Sequence, residues 1–108
     1  MDISIETVAK LLKTLSDPTR LRIVQALTME CDSVNRIVEI TGFSQPLVSH
    51  HLRVLRENGL ARAERRGAYT FYCLSDIAVW ETIERCSQVA LRFQENAQRV
   101  KPVPETAT

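Results

Sequence analysis

The sequence lacks the residue patterns on which enzyme catalysis usually depends. Its 108 residues include three glycines and two histidines. No glycine-rich loop that could cradle a phosphate is present, and no pair of carboxylates is arranged for acid–base catalysis. No cysteine lies near either histidine in the sequence, so the pattern of a nucleophile beside a base is also missing. We therefore expect that the protein is not an enzyme.

Cysteines are few and isolated. Cys31, Cys73 and Cys86 are odd in number and form neither a Cys-x-x-Cys nor a Cys-x-Cys pair. These spacings indicate neither a disulfide framework nor a compact zinc site. We expect no resident metal and no cofactor, although cysteines brought together from different parts of the chain could bind a soft metalloid.

Long apolar runs are also absent. No stretch approaches the roughly 20 apolar residues of a membrane span, and no basic-then-apolar signal begins the chain. We expect a soluble cytoplasmic protein with no membrane partner, consisting of one domain over residues 1–100 and a disordered tail over 101–108. A domain this small buries a thin core, so dimerisation is expected.

Apolar residues at spacings of three and four predict a mainly helical fold. Asp17 with Pro18, and Ser44, are typical helix starts, whereas Gly42 and Gly59 are typical ends. Five helices are predicted: from about residue 3 to 15, from Asp17 to near Glu30, around Val34–Val38, from Ser44 to Gly59, and from about Asp76 to Arg99.

One β-hairpin is predicted after the fourth helix. Residues 69–73 favour a strand, and Gly67 separates them from the basic run of residues 60–66. This order of elements, a helix, a tight turn, a second helix and a basic hairpin, is that of a winged helix-turn-helix. In that arrangement the second helix of the pair enters the major groove and the hairpin, or wing, reaches the flanking backbone.

The fourth helix has two contrasting faces. At about 100° per residue, Val48, Leu52 and Leu55 share a face that should be buried. His51 lies at the edge of that face, so we expect it to pack there with one ring nitrogen hydrogen-bonded. His50 should face outward, either towards DNA or simply into solvent, and adjacent helical residues cannot jointly chelate an ion. The predicted outward face consists of Pro46, Ser49, His50 and Arg53.

Positive charge is concentrated on this motif. Between Gln45 and Thr70 there are five arginines and two glutamates, which give +3, whereas the whole chain carries +1 and the remainder therefore −2. Such a concentration is typical of phosphate contact, and the alternative is a merely solvated face.

These segments also resemble a known family. "LSDPTRLRIVQAL", "TGFSQPLVSHHLRVLRENGL" and "RRGAYTFYCLSD" are similar to the ArsR/SmtB family of bacterial repressors, over roughly residues 8–80. The resemblance implies a homodimeric winged-helix repressor that binds a palindromic operator and releases it when an effector binds. The effector is often a metal or a metalloid. A winged-helix module for protein–protein contact is the alternative function.

The resemblance also implies roles for single residues. His51 matches a common histidine of the family, and Ala68 stands where the family often has a basic residue. With Arg53 added from the helical geometry, the predicted DNA-binding residues are Ser44, Gln45, Ser49, His50, Arg53, Arg65 and Arg66.

The two well-known metal sites of the family are not intact. Ser33 and Asn35 stand where arsenic-sensing members have cysteines. Zinc-sensing members place four ligands on the last helix. Here Asp76 matches the first, and the other positions hold Ala78, Val89 and Arg92. We therefore expect no tight zinc, cobalt or nickel response.

The last helix carries a heptad pattern typical of helix–helix packing. This pattern, which we call the last-helix seam, consists of Val79, Ile83, Cys86, Ala90, Phe93, Ala97 and Val100. The first helix contributes a second apolar face. The predicted dimer interface consists of Ile5, Val8, Leu12, Leu15, Val79, Ile83, Cys86, Ala90 and Phe93.

Two modes of sensing remain open. In a thiol mode, Cys86 meets Cys31 or Cys73, within one chain or across the dimer, and binds a soft metalloid or is oxidised. In a metabolite mode, an organic ligand fills a pocket near Trp80 and the dimer interface, and the cysteines are packing residues. The sequence favours the second mode slightly, because each cysteine also has a packing explanation.

Overall fold

The computed structural model describes residues 2–100, and this part of the chain forms five helices and three strands. The mainly helical fold with a hairpin wing is therefore confirmed. The predicted tail lies outside the described residues. In chain order the elements are α1 (Ile5–Leu15), α2 (Pro18–Ala26), β1 (Asp32–Ser33), α3 (Val34–Thr41), α4 (Gln45–Glu57), β2 (Ala61–Arg66), β3 (Tyr69–Leu74) and α5 (Ile77–Arg99).

Each helix begins at a polar side chain that accepts a backbone N–H from the first turn. The predicted caps Asp17 and Ser44 accept from Arg20 and Leu47, respectively. Local hydrogen bonding therefore fixes where the helices start. The caps are Ser4, Asp17, Ser33, Ser44 and Asp76.

The structure differs from the predicted elements in two places. The second helix ends at Ala26 rather than near Glu30, because Leu27 takes an extended backbone and buries its side chain. The strand β1, whose two residues pair with β3, was not predicted. A strand this short has no periodicity of its own and forms only because β3 lies beside it.

The turn between α3 and α4 depends on Gly42. Its φ of 74° is the left-handed conformation that glycine adopts readily, and its N–H donates to Val38 O at 2.8 Å. Thr41 Oγ1 also donates to Ile37 O. This turn sets α4 across α3 and completes the helix-turn-helix.

The sheet is antiparallel in the order β1-β3-β2. Ala61 pairs with Leu74 at the wing base and Arg66 with Tyr69 at the tip. At the base, Ser75 Oγ donates to Gly59 O at 2.7 Å, so the wing is attached to the end of α4.

One core joins the helix-turn-helix to the wing base. Ile37, Val48, Leu52 and Leu55 are fully buried within it. Leu74 contributes from β3, and Val79 contributes from α5. The core therefore fixes α4 relative to the wing. Among residues 2–100, no helix is both long enough and apolar enough to cross a membrane.

Candidate nucleic-acid interface

The two faces of α4 are those that the helical pattern predicts. Val48, Leu52 and Leu55 are each 0% exposed. On the opposite face, His50 and Arg53 are exposed. The buried face holds the helix on the core and leaves the polar face free for a ligand.

The N-terminal end of α4 presents a polar group of side chains. Ser44 and Gln45 are exposed and Ser49 is partly exposed. Gln45 Nε2 donates to Ser49 Oγ at 3.3 Å, one helical turn away. Amide and hydroxyl groups at this end of a recognition helix can exchange hydrogen bonds with base edges.

His51 is part of the core edge rather than of this polar surface. It is 5% exposed, and its Nδ1 accepts a hydrogen bond from Arg20 Nε at 3.3 Å. Nδ1 therefore carries no proton. Burial lowers the pKa of His51 below the usual 6.5. The predicted packing role with one bonded ring nitrogen is confirmed.

Sequence reasoning missed the partner in this contact. Arg20 Nη1 also donates to Thr14 O at 2.7 Å, so one guanidinium joins α1, α2 and α4. Arg20 lies three residues after the cap Asp17, whose carboxyl accepts the Arg20 N–H at 3.0 Å. That hydrogen bond is the leading cause of the lowered pKa of Asp17. The helix start was visible in the sequence, but the contact with His51 was not.

The wing arginines lie on opposite faces of the hairpin, since successive strand residues alternate. Arg65 is exposed, and its Nε donates to Gly67 O at 3.4 Å. Arg66 contacts Glu64 at 2.9 Å and lies over the Phe71 ring, 4.6 Å from its centre. The two arginines therefore project from opposite faces of the wing.

The predicted dimer interface divides into exposed and buried residues. Leu15 and Val79 are already buried within one chain. Ile5, Val8, Leu12 and Phe93 are between 41% and 69% exposed. The seam residue Cys86 is exposed as well, so its predicted burial does not occur within one chain.

An apolar groove runs between α1 and α5. Its volume is about 320 Å³. It is lined by Leu12, Leu15, Leu21, Ile83, Cys86, Ser87 and Ala90. The groove makes the apolar faces of the first and last helices one continuous surface.

The cysteine pairing in the structure differs from the pairing that the thiol mode requires. Cys31 and Cys73 are joined in a disulfide across 42 residues of sequence. Cys86 lies apart on α5, so the meeting of Cys86 with Cys31 or Cys73 that the thiol mode requires does not occur within one chain. The sequence did not indicate the pair, because β1 brings the two residues together. Among residues 2–100 no cluster of metal-ligating side chains occurs.

Trp80 lies beside a separate open pocket of about 290 Å³. Its side chain is 42% exposed. Gln25, Leu27, Thr28, Met29, Leu74 and Ile77 complete the lining. This pocket shares no lining residue with the groove that contains Cys86.

Comparison with known proteins agrees with this geometry. Residues 17–63 match the family model described as "Bacterial regulatory protein, arsR family". An uncharacterised helix-turn-helix transcriptional regulator of Methanocaldococcus jannaschii is 35% identical over 80 residues, which cover 73% of this chain and 90% of the relative. The match to the CadC homologue of Staphylococcus aureus, at 37% identity, covers 72% of this chain and 65% of that protein.

Solved structures give the same result. The crystal structure of the transcriptional repressor BigR from Xylella fastidiosa superposes with a TM-score of 0.69 at 34% identity, covering 78% of this chain and 86% of that one. The homodimeric winged helix-turn-helix DNA-binding domain from Mycobacterium bovis gives a TM-score of 0.69 at 26% identity, covering 83% and 89%. The chain therefore belongs to the ArsR family of winged helix-turn-helix transcriptional regulators.

Proposed function

We propose that this protein is a repressor that binds a palindromic operator as a homodimer, with α4 in the major groove and the wing on the flanking backbone. The observation that carries the proposal is the exposed polar face of α4 next to the exposed wing arginines. A firmly packed recognition helix beside a basic hairpin suits the reading of one operator half-site. Operator DNA and a second copy of the chain are then its partners, in the cytoplasm.

The proposed interface contains residues that contact base edges and residues that contact phosphates. Ser44, Gln45, Ser49 and His50 lie on the helix and contact base edges, with Arg53 towards the end of that surface. Arg65 and Arg66 contact phosphates from the two faces of the wing. Phosphate contacts position the protein, and base contacts select the sequence.

Homodimerisation follows from the exposed apolar surface of the flanking helices. Leu12, Phe93 and the groove between α1 and α5 present apolar area that one chain leaves open to water. A second copy covers it and places two α4 helices about 34 Å apart, one turn of DNA. The related domain from Mycobacterium bovis is a homodimer, which supports this assembly.

Release by an effector completes the proposed cycle. To vacate the operator, the effector must favour the state that does not bind DNA by several kcal/mol. The pocket beside Trp80 suits a small apolar organic ligand, and the cysteines suit thiol chemistry. No catalytic step is assigned to any residue.

The test is a titration of operator DNA and random DNA with matched variants. Ser49→Ala and His50→Ala should cost about 1–3 kcal/mol on the operator and much less on random DNA. Arg65→Ala and Arg66→Ala should weaken both DNAs and reduce the salt slope by about one unit. The control is Arg85→Ala, which removes an exposed charge on α5 outside the seam. Equal losses on both DNAs for all four variants would overturn these roles.

A further inference from the structure

We propose that Cys31 and Cys73 form an oxidation site at which a small neutral hydroperoxide converts two thiols into a disulfide. The structure joins these residues, with Cα atoms 4.2 Å apart. This pair differs from the meeting of Cys86 with another cysteine that the sequence suggested. The site lies where the wing meets the segment that leads into α3.

Backbone pairing keeps the two cysteines adjacent whether or not they are bonded. On one side, Leu74 N donates to Thr28 O at 2.8 Å. On the other side, Asp32 of β1 pairs with Tyr72 of β3. Because both neighbours of the pair are hydrogen-bonded, the reduced thiols face each other at a high effective concentration. Ring closure then requires little rearrangement of the chain.

The two sulfurs differ in their access to solvent. Cys73 is 0% exposed, whereas Cys31 is partly exposed. An oxidant from solution therefore meets Cys31 first. The Cys31 thiolate attacks the peroxide O–O bond and becomes a sulfenic acid, with release of water or an alcohol. The Cys73 thiol then displaces the hydroxyl group as water and forms the S–S bond, so two thiols are oxidised and one peroxide is reduced.

Access selects the class of oxidant. Arg62 lies opposite Cys73 on the same face of the sheet, and it is paired with Glu64 at 3.6 Å. These two charges offset each other, so local charge gives no strong preference between oxidants. Cys73 is buried and Cys31 is only partly exposed, so a small hydroperoxide reaches the pair more readily than a bulky oxidant such as glutathione disulfide.

The regulatory part of this inference rests on the proposed function. The disulfide ties β3 of the wing to the residue before β1, and Ser33 of β1 caps α3. Oxidation therefore joins the wing covalently to the helix-turn-helix, and the two can no longer adjust independently to DNA. Disulfides in a reducing compartment are usually transient and often sense redox state, so a reversible pair at this junction suits regulation.

The chemical test begins with the fully reduced chain after removal of the reductant. Hydrogen peroxide is added, and free thiols are alkylated and located by mass spectrometry. We expect Cys31 and Cys73 to be lost together as one linked peptide pair, in the natural chain and in Cys86→Ser. We also expect glutathione disulfide to react more slowly. Preferential loss of Cys86, or equally fast reaction with both oxidants, would overturn the proposal.

Single variants test the order of the two steps. In Cys73→Ala the reaction should stop at a sulfenic acid on Cys31, which dimedone captures. In Cys31→Ser the buried Cys73 should remain a thiol; because Cys31 is partly exposed, this variant also serves if Cys73→Ala does not fold. Rapid oxidation of Cys73 in Cys31→Ser would show that the assigned entry point is wrong.

Operator titrations test the consequence for DNA binding. The affinity of the oxidised and the reduced chain should differ by about fivefold or more, a coupling typical of linked sites. Cys86→Ser should keep this difference, and Cys31→Ser should abolish it. A smaller difference in the natural chain would overturn the regulatory part. If the reduced chain shows no preference for its operator, the proposed function fails instead, while the thiol chemistry is still measured directly.

Discussion

The helix-turn-helix core and the flanking helices differ in whether their apolar residues are buried. In the core, Ile37, Val48 and Leu52 are fully buried within a single chain. On the flanks, Leu12 is 51% exposed and Phe93 is 67% exposed. The difference indicates that the helix-turn-helix is complete in one chain, whereas α1 and α5 leave apolar surface available for the proposed second copy.

Helix α5 makes the contrast clearest. It spans 23 residues, yet within the described chain Val79 is its one buried residue. A helix of this length with one anchored turn has most of its surface available for a partner.

The largest effect should follow from charging the flanks. Leu12→Glu combined with Phe93→Glu places two carboxylates in the proposed apolar interface, so sedimentation should show monomers. Operator affinity should fall by about 100-fold or more, because the two half-sites are then bound independently. The control is Met29→Glu, which charges an apolar residue of similar exposure outside α1 and α5. A double variant that remains dimeric would break the comparison.

The next effect concerns the core, and α4 supplies its own control. Leu52→Ala removes a side chain that is 0% exposed and should cost about 2–5 kcal/mol of unfolding free energy. Leu47→Ala, on the same helix but 39% exposed, should cost about 0.5 kcal/mol or less. Urea titrations at one fixed protein concentration measure both. Similar losses for the two leucines would contradict the assignment of faces.

The smallest effect tests His51, which links the core to α1 through Arg20. Burial lowers the pKa of the folded histidine below 6.5, so the unfolded chain takes up a proton first as the pH falls. The contribution of His51 to stability is therefore complete well above pH 6.5 and is lost as the pH falls through the lower folded value. Melting temperatures between about pH 5 and pH 7.5 should fall on acidification, and His51→Gln should flatten this dependence.

The matched control for this prediction is His50→Gln. His50 is adjacent in sequence but exposed, so its replacement should leave the pH dependence of the melting temperature in place. A natural chain whose melting temperature is the same across this range would contradict the neutral, Arg20-bonded imidazole.

Features set by local pattern could be predicted from the sequence. The caps Asp17 and Ser44, the two faces of α4 and the packing of His51 each depend on residues within a few positions of one another. Local periodicity and capping chemistry therefore suffice to place them.

Features that depend on distant parts of the chain could not be predicted in this way. The strand β1, the contact of Arg20 with His51 and the pairing of Cys31 with Cys73 join segments 31 or more residues apart. No local pattern encodes such contacts. The early end of α2 also depends on distant residues, because Leu27 leaves the helical conformation to pack in the core.

Glu64 gives the wing a consequence beyond its arginines. Its two carboxylate oxygens contact Arg62 at 3.6 Å and Arg66 at 2.9 Å, so it neutralises part of the positive charge of the wing. In the proposed complex a DNA phosphate must displace this internal anion from the arginines, so the net gain from one such contact is small. During a search along the genome, the wing should therefore release arbitrary sequences readily. It should hold only where α4 supplies the remaining affinity.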